Sequence, residues 1–261
     1  MNRNAIKLLR SIRNAGLVAL GPVDYVKRVV SGKTDLPPLH LRRYVGPLSS
    51  FESSGVEFMG YVREIAGLQT DERVLDVGCG CGQMALHLKD YLNESGSYVG
   101  VDINRPSINW CRKKIARRHK NFDFAHIDVR NLAYNPNGTQ HAEAYRFPFA
   151  DRSFDLILLK SVFTHMRPPD VSNYLGEVSR LMKNNGRCLA TFFLLNDAQA
   201  FWASDKTGRA SKRLAIAGRG LLPMPLLLKN FTVVGATSLP RRRARGKRHH
   251  LKPRFARERR S

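Results

Sequence analysis

Apolar and polar positions alternate in two rhythms along the middle of this chain. Short apolar runs recur at Arg73–Val77, Ser97–Asp102, Phe122–Val129, Ser153–Lys160 and Gly186–Phe193. Each is the length of a strand and is nearly continuous in apolar character, the pattern of strands covered on both faces. Segments compatible with helix lie between them, the first over Gln83–Tyr91. Strand–helix–strand alternation predicts βαβ units with right-handed crossovers, hence a doubly wound, mostly parallel α/β sheet. Before it, Ser50–Leu68 reads as a helix with Val56, Met59, Val62 and Ile65 along one face. Residues 3 to 15 read as an amphipathic helix with basic residues between Ile6, Leu8, Leu9 and Ile12, and Leu36-Pro37-Pro38-Leu39 reads as an extended connector.

Several strands end on a charged side chain. Asp76, Asp102, Asp128 and Lys160 all fall at expected strand C-termini, the edge of such a sheet where ligands bind. Between Asp76 and the first helix runs Val77-Gly78-Cys79-Gly80-Cys81-Gly82-Gln83. Glycines at alternate positions allow a sharp turn and a close approach of backbone to ligand, and a helix start offers unpaired N–H groups. A dinucleotide fingerprint would need a glycine where Gln83 stands, and a carboxylate at Asp76 repels a pyrophosphate. It suits a cation instead. Asp102, at the end of the second run, is spaced to accept hydrogen bonds from ribose hydroxyls, and Ile103 is placed to lie against an adenine.

Leu75-Asp76-Val77-Gly78-Cys79-Gly80-Cys81-Gly82 resembles the first motif of class I S-adenosylmethionine-dependent methyltransferases, and the five ordered runs extend that resemblance over roughly residues 50 to 195. The resemblance implies a Rossmann-like sheet and S-adenosylmethionine as cofactor. It implies a cofactor site built from Asp76, Gly78, Cys79, Gly80, Gly82, Asp102, Ile103, Asp128, Val129 and Lys160, with Asp128 and Val129 at the adenine edge. Helices preceding the first strand often form a lid in that family, which makes Tyr44 a candidate for the substrate pocket together with Phe163 and Thr164. Methyl transfer from a sulfonium asks mainly for alignment, and a general base only when the acceptor loses a proton. His165, just past the fourth run, is the candidate base, and Phe163 a candidate wall beside the sulfonium. Lys160-Ser161-Val162-Phe163 stands where methyltransferases acting on base amino groups carry an Asn/Asp/Ser-Pro-Pro-aromatic tetrapeptide, which shifts the expectation to a small-molecule or glycan-type acceptor. The stretch Arg130–Arg152, with the turn Asn135-Pro136-Asn137-Gly138, is expected to shape the acceptor pocket.

Composition changes this picture only at the ends. The chain has 261 residues and a formal charge of +23, yet residues 51 to 196 hold 18 Lys+Arg against 16 Asp+Glu. Residues 1 to 50 hold nine against two, and residues 197 to 261 hold 17 against three. This divides the chain into an N-terminal segment (1–50), a methyltransferase-like domain (51–196), an uncertain sheet edge (197–240, with Arg213–Ala217 and Phe231–Ala236 as strand candidates) and a basic tail (241–261) expected to be disordered. The basic ends leave RNA or an anionic membrane surface open as partners, and with them an RNA methyltransferase. The loss of pattern after about Asn196 leaves open a frameshifted or fused C-terminus and a cofactor-binding protein without catalysis. Cys79, Cys81, Cys111 and Cys188 have neither metal-site nor secreted-framework spacing, so a reduced, cytoplasmic protein without a metal is expected. No uninterrupted apolar run in residues 1 to 30 suggests a signal peptide or membrane span.

Overall fold

The computed structural model describes residues 15–192 and the backbone of the strand 231–235. Helices α1 (Gly21–Val30), α2 (Leu39–Arg42) and α3 (Phe51–Glu64) precede strand β1 (Arg73–Val77). Helix α4 (Ala85–Leu88), β2 (Ser97–Asp102), α5 (Arg105–Cys111) and β3 (Phe122–His126) follow. Then come β4 (Phe154–Leu159), α6 (Pro168–Leu181), β5 (Met182–Phe192) and β6 (Phe231–Gly235). The sheet order is β3-β2-β1-β4-β5-β6 and every pairing is parallel. Chain order reverses between β1 and β4, which opens a crevice at their C-terminal ends.

Two cores sandwich the sheet. Along β4, Leu156 and Leu158 join Phe58, Met84, Leu88, Tyr98 and Phe124 on one face, while Ile157 and Leu159 join Leu75, Val77, Phe147 and Leu181 on the other. Period-two alternation with both sides buried is why the strand reads as an unbroken apolar run.

Several expectations shift. Helix α3 buries Phe51, Gly55, Phe58, Met59 and Val62, while Val56 is 62% exposed and Ile65 also faces solvent. The buried stripe advances by four and three residues alternately, whereas the expected face advanced by threes and drifts off the core. Regular helix after the glycine turn covers only Ala85–Leu88, because residues 80–84 stay in turn conformation and Gln83 is drawn into tertiary hydrogen bonds. The run Arg112-Lys113-Lys114 lies on a π-helical turn with exposed side chains; Arg112 Nε reaches back to the Phe124 carbonyl at 2.6 Å. Phe231–Gly235 is a strand, paired directly and in parallel with β5. Residues 3–14, Arg213–Ala217 and the tail 241–261 lie outside the described residues. All four cysteines are buried and none is bonded to another. Among the described residues no helix is long and apolar enough to cross a membrane.

Candidate cofactor site

The crevice holds a cavity of about 490 Å³. Its floor is the glycine turn. Gly80 has φ +55°, and a Cβ there would sit 2.7 Å from Val45 Cγ2, so both conformation and space require glycine. The Gly80 amide donates to Asp102 Oδ2 at 2.8 Å, and the Asn104 amide to Oδ1 at 2.6 Å. Asn104 itself caps α5, accepting from the Ser107 amide at 3.0 Å. The Asp102 carboxylate is thus fixed in orientation by one backbone amide per oxygen, and each oxygen keeps a lone pair for a hydroxyl donor in the cavity. Burial pushes its acidity weaker than usual; the amides at Asn104 and Gly80 pull it back.

Beside it, Asp76 is 2% exposed and accepts from the Tyr98 hydroxyl at 2.6 Å. Burial pushes its pKa up to about 6, against the opposing pull of that hydroxyl and of Lys160. Lys160 Nζ donates to Gln83 Oε1 at 2.6 Å and to the Ser54 carbonyl at 2.9 Å, and lies 5.2 Å from the centre of the Phe58 ring. Burial holds its pKa down to about 8. Gln83 in turn donates to the Phe51 carbonyl and, at 3.0 Å, to Ser54 Oγ. One polar chain therefore ties α3 to the glycine turn and to the end of β4. A buried carboxylate with a raised pKa lacks a full cationic counterpart.

The lining also includes aromatic and apolar side chains. Tyr134 meets His165 edge-on at 5.5 Å and Tyr44 at 6.2 Å, and the Arg43 guanidinium covers the Tyr44 ring at 4.5 Å. Ile103, Ile127, Val129 and Met166 supply further apolar lining.

Asp76, Gly78, Cys79, Gly80, Asp102, Ile103, Val129 and Lys160 all line this cavity, as do Tyr44, Thr164 and His165. Three expected residues do not. Gly82 turns away: a Cβ there would meet Ile115 at 2.8 Å and Cys111 Sγ at 3.1 Å, so it serves the packing beneath the turn. Asp128 faces out and accepts from Thr139 Oγ1 at 2.7 Å and Asn135 Nδ2 at 3.2 Å. Side chains alternate along extended chain, so with Ile127 and Val129 at the cavity Asp128 must point elsewhere. Its carboxyl is held below the usual range by those hydrogen bonds and pins the following loop. Phe163 is buried in the core on the α6 side, because a single turn, Phe163–His165, cannot aim all three side chains one way. Gln83, Asn104 and Tyr134 line the cavity without having been singled out. Of these only Tyr134 carried a signal, as part of the loop expected to shape the pocket.

Residues 75–190 match the family model described as a methyltransferase domain. Among similar proteins, phthiotriol/phenolphthiotriol dimycocerosates methyltransferase 1 of Mycobacterium ulcerans (strain Agy99) is 34% identical over 146 residues, 55% of this chain and 46% of the relative. A fatty-acid O-methyltransferase of Mycolicibacterium smegmatis is 32% identical over 130 residues, 49% of this chain and 38% of the relative. The chain thus spans less than half the length of these curated relatives. Among solved structures, the PH0226 protein of Pyrococcus horikoshii OT3 aligns at 23% identity and a TM-score of 0.43, over 54% of this chain and 57% of that one. S-Adenosylmethionine is the cofactor of the matched family, and the donor set agrees with its chemistry: a fixed carboxylate for vicinal hydroxyls, a buried carboxylate short of a cation, and a glycine floor with no room for a side chain. Over residues 75–190 the chain is thus similar to class I S-adenosylmethionine-dependent methyltransferases.

Proposed function

We propose that this protein transfers the methyl group of S-adenosylmethionine to a lipid-like small-molecule acceptor. The observation that carries this reading is the convergence of Asp76, Gly80 and Asp102 on one cavity, at the ends of two neighbouring strands. Bound S-adenosylmethionine supplies a methyl group activated by a positively charged sulfur. Asp102 holds the ribose hydroxyls, oriented by the Gly80 and Asn104 amides. Ile103, Ile127 and Val129 take the flat adenine face, and Asp76 the ammonium group of the methionine part. Lys160 positions Gln83 and the start of α3 through its two hydrogen bonds.

The acceptor enters along Tyr44, Tyr134, Thr164 and Met166. An apolar, aromatic-lined wall favours a hydrocarbon-bearing acceptor over a highly charged one, and the names of the two mycobacterial-type relatives, one of them a fatty-acid O-methyltransferase, point the same way. His165, held edge-on against Tyr134, takes the proton when the acceptor atom is a hydroxyl. Holding both reactants in line supplies the rest of the rate gain.

The test is calorimetric titration of S-adenosylmethionine and of NAD, followed by transfer of labelled methyl to a panel of fatty acids and long-chain alcohols. The wild-type protein should bind S-adenosylmethionine and not NAD, and Asp102→Ala should abolish binding. His165→Ala should slow turnover by about 10²-fold or more with cofactor affinity unchanged. Tight NAD binding, or indifference to Asp102, would overturn the cofactor assignment. Cofactor binding with methylation of polar acceptors alone would overturn the acceptor class.

A further inference from the structure

Helix α1 wears its polar side inward. With about 3.6 residues per turn, Asp24 and Arg28 share one side of it, and that side faces the protein. Asp24 is buried and pairs with Arg28 Nε at 2.9 Å and with the Arg42 guanidinium. Arg28 also donates to the Leu36 carbonyl at 2.8 Å. The opposite side carries Val26 and Val30, flanked by Val23 and Val29, with Tyr25 at its border. All five are exposed, Val23 by 65% and Val30 by 83%. Val18, one turn earlier, is exposed as well. A surface helix normally has the reverse arrangement, and a contiguous apolar face left in water marks a docking surface.

Charge selects among the occupants. A second copy of this chain brings another +23, and residues 241–261 of the same chain carry eleven Lys+Arg against one acid. Both meet an end of the protein with nine Lys+Arg and two acids in its first 50 residues. Neither acid is available to attract them: Asp24 is engaged as above, and Asp35 pairs with Lys89 at 3.3 Å and Arg118 at 2.9 Å. Like charge disfavours both. An anionic lipid surface answers both features, since its headgroups attract the basic excess and its acyl boundary takes the valines and the tyrosine.

We propose that the exposed face of α1 seats this protein on an anionic membrane surface. Arg42, which anchors the helix through Asp24, is followed directly by Arg43–Gly46 of the cavity wall, so one short segment links the membrane face to the site. The inference stands on α1 and on charge, and does not require the methyl-transfer reading.

The 261-residue chain should be sedimented with vesicles of phosphatidylcholine alone and of phosphatidylcholine mixed with phosphatidylglycerol. We expect binding to the mixed vesicles only, weakened by added salt. Replacing Val26→Glu together with Val30→Glu should lower partitioning about tenfold or more, with melting temperature and S-adenosylmethionine affinity unchanged. Absence of wild-type binding to the mixed vesicles would overturn the proposal. So would equal binding by the double variant, which would assign the attraction to the basic ends alone. Light scattering that shows a dimer, split by the double variant, would give the face to a second copy instead.

Discussion

Asp76 costs the empty protein stability, and replacing it with asparagine should expose that cost. An ordinary aspartate titrates near 3.8, whereas burial lifts Asp76 to about 6. Keeping it ionised at neutral pH therefore costs the folded state about 3 kcal/mol, at roughly 1.4 kcal/mol per pH unit. The sign follows from proton uptake. Between 3.8 and about 6 the folded chain holds the proton more tightly than the unfolded chain, so the Asp76 contribution to stability falls as pH rises through that window. Asp76→Asn removes the charge and keeps an oxygen to accept from the Tyr98 hydroxyl, now at 2.6 Å. It also takes from Lys160 an anion that raises its pKa, which offsets part of the gain. The expected outcome is an apo variant more stable than wild type by about 1–2 kcal/mol at neutral pH, with the difference vanishing near pH 4. Urea denaturation across that range measures it. In the same variant S-adenosylmethionine should bind about 10–100-fold more weakly, as an ammonium loses a charged acceptor worth about 1.5–3 kcal/mol. Loss of stability at neutral pH, or cofactor affinity within twofold of wild type, would refute the reasoning.

Tyr98→Phe removes the donor that favours the ionised Asp76; the pH below which S-adenosylmethionine affinity declines should then move above 6, as titration calorimetry in a pH series will reveal. Gly80→Ala should abolish measurable cofactor binding, because it pairs a left-handed backbone with a 2.7 Å contact to Val45. Adding Val45→Ala should restore only part of it, since the conformational cost of about 1–2 kcal/mol remains; full recovery would show that the contact alone mattered. Phe163→Ala should destabilise the fold by about 3–5 kcal/mol in denaturant titration while the folded fraction keeps its cofactor affinity. Lost affinity at undiminished stability would return Phe163 to the cavity.

The legible part of this protein was the part whose physics is local. Strands covered on both faces must be apolar along their length, so β1 to β5 stood out, and a charged residue ending such a run marks the ligand edge of a parallel sheet. Asp76, Asp102 and Lys160, expected at that edge, line the cavity. Where contact with another element decides, the pattern misled. Gly55 belongs to the buried stripe of α3, yet glycine carries no hydrophobic signal; it is there because a Cβ would meet His87 at 2.6 Å and Gln83 at 3.2 Å. Asp128 ends an apolar run just as Asp102 does, but side-chain alternation beyond β3 turns it toward Thr139 and Asn135.

By itself the sequence determined the parallel sheet, the glycine turn and the acid-bearing edge, because strand burial and turn conformation depend on residues adjacent in the chain. Only the tertiary structure decided which acid faces the cavity, that Lys160 bridges Gln83 and Ser54 across 77 and 106 residues, and that α1 turns its valines to solvent. Those outcomes depend on partners remote in the chain, Arg42 for Asp24 among them, and no local period of apolar residues encodes which buried charge will find its counterpart.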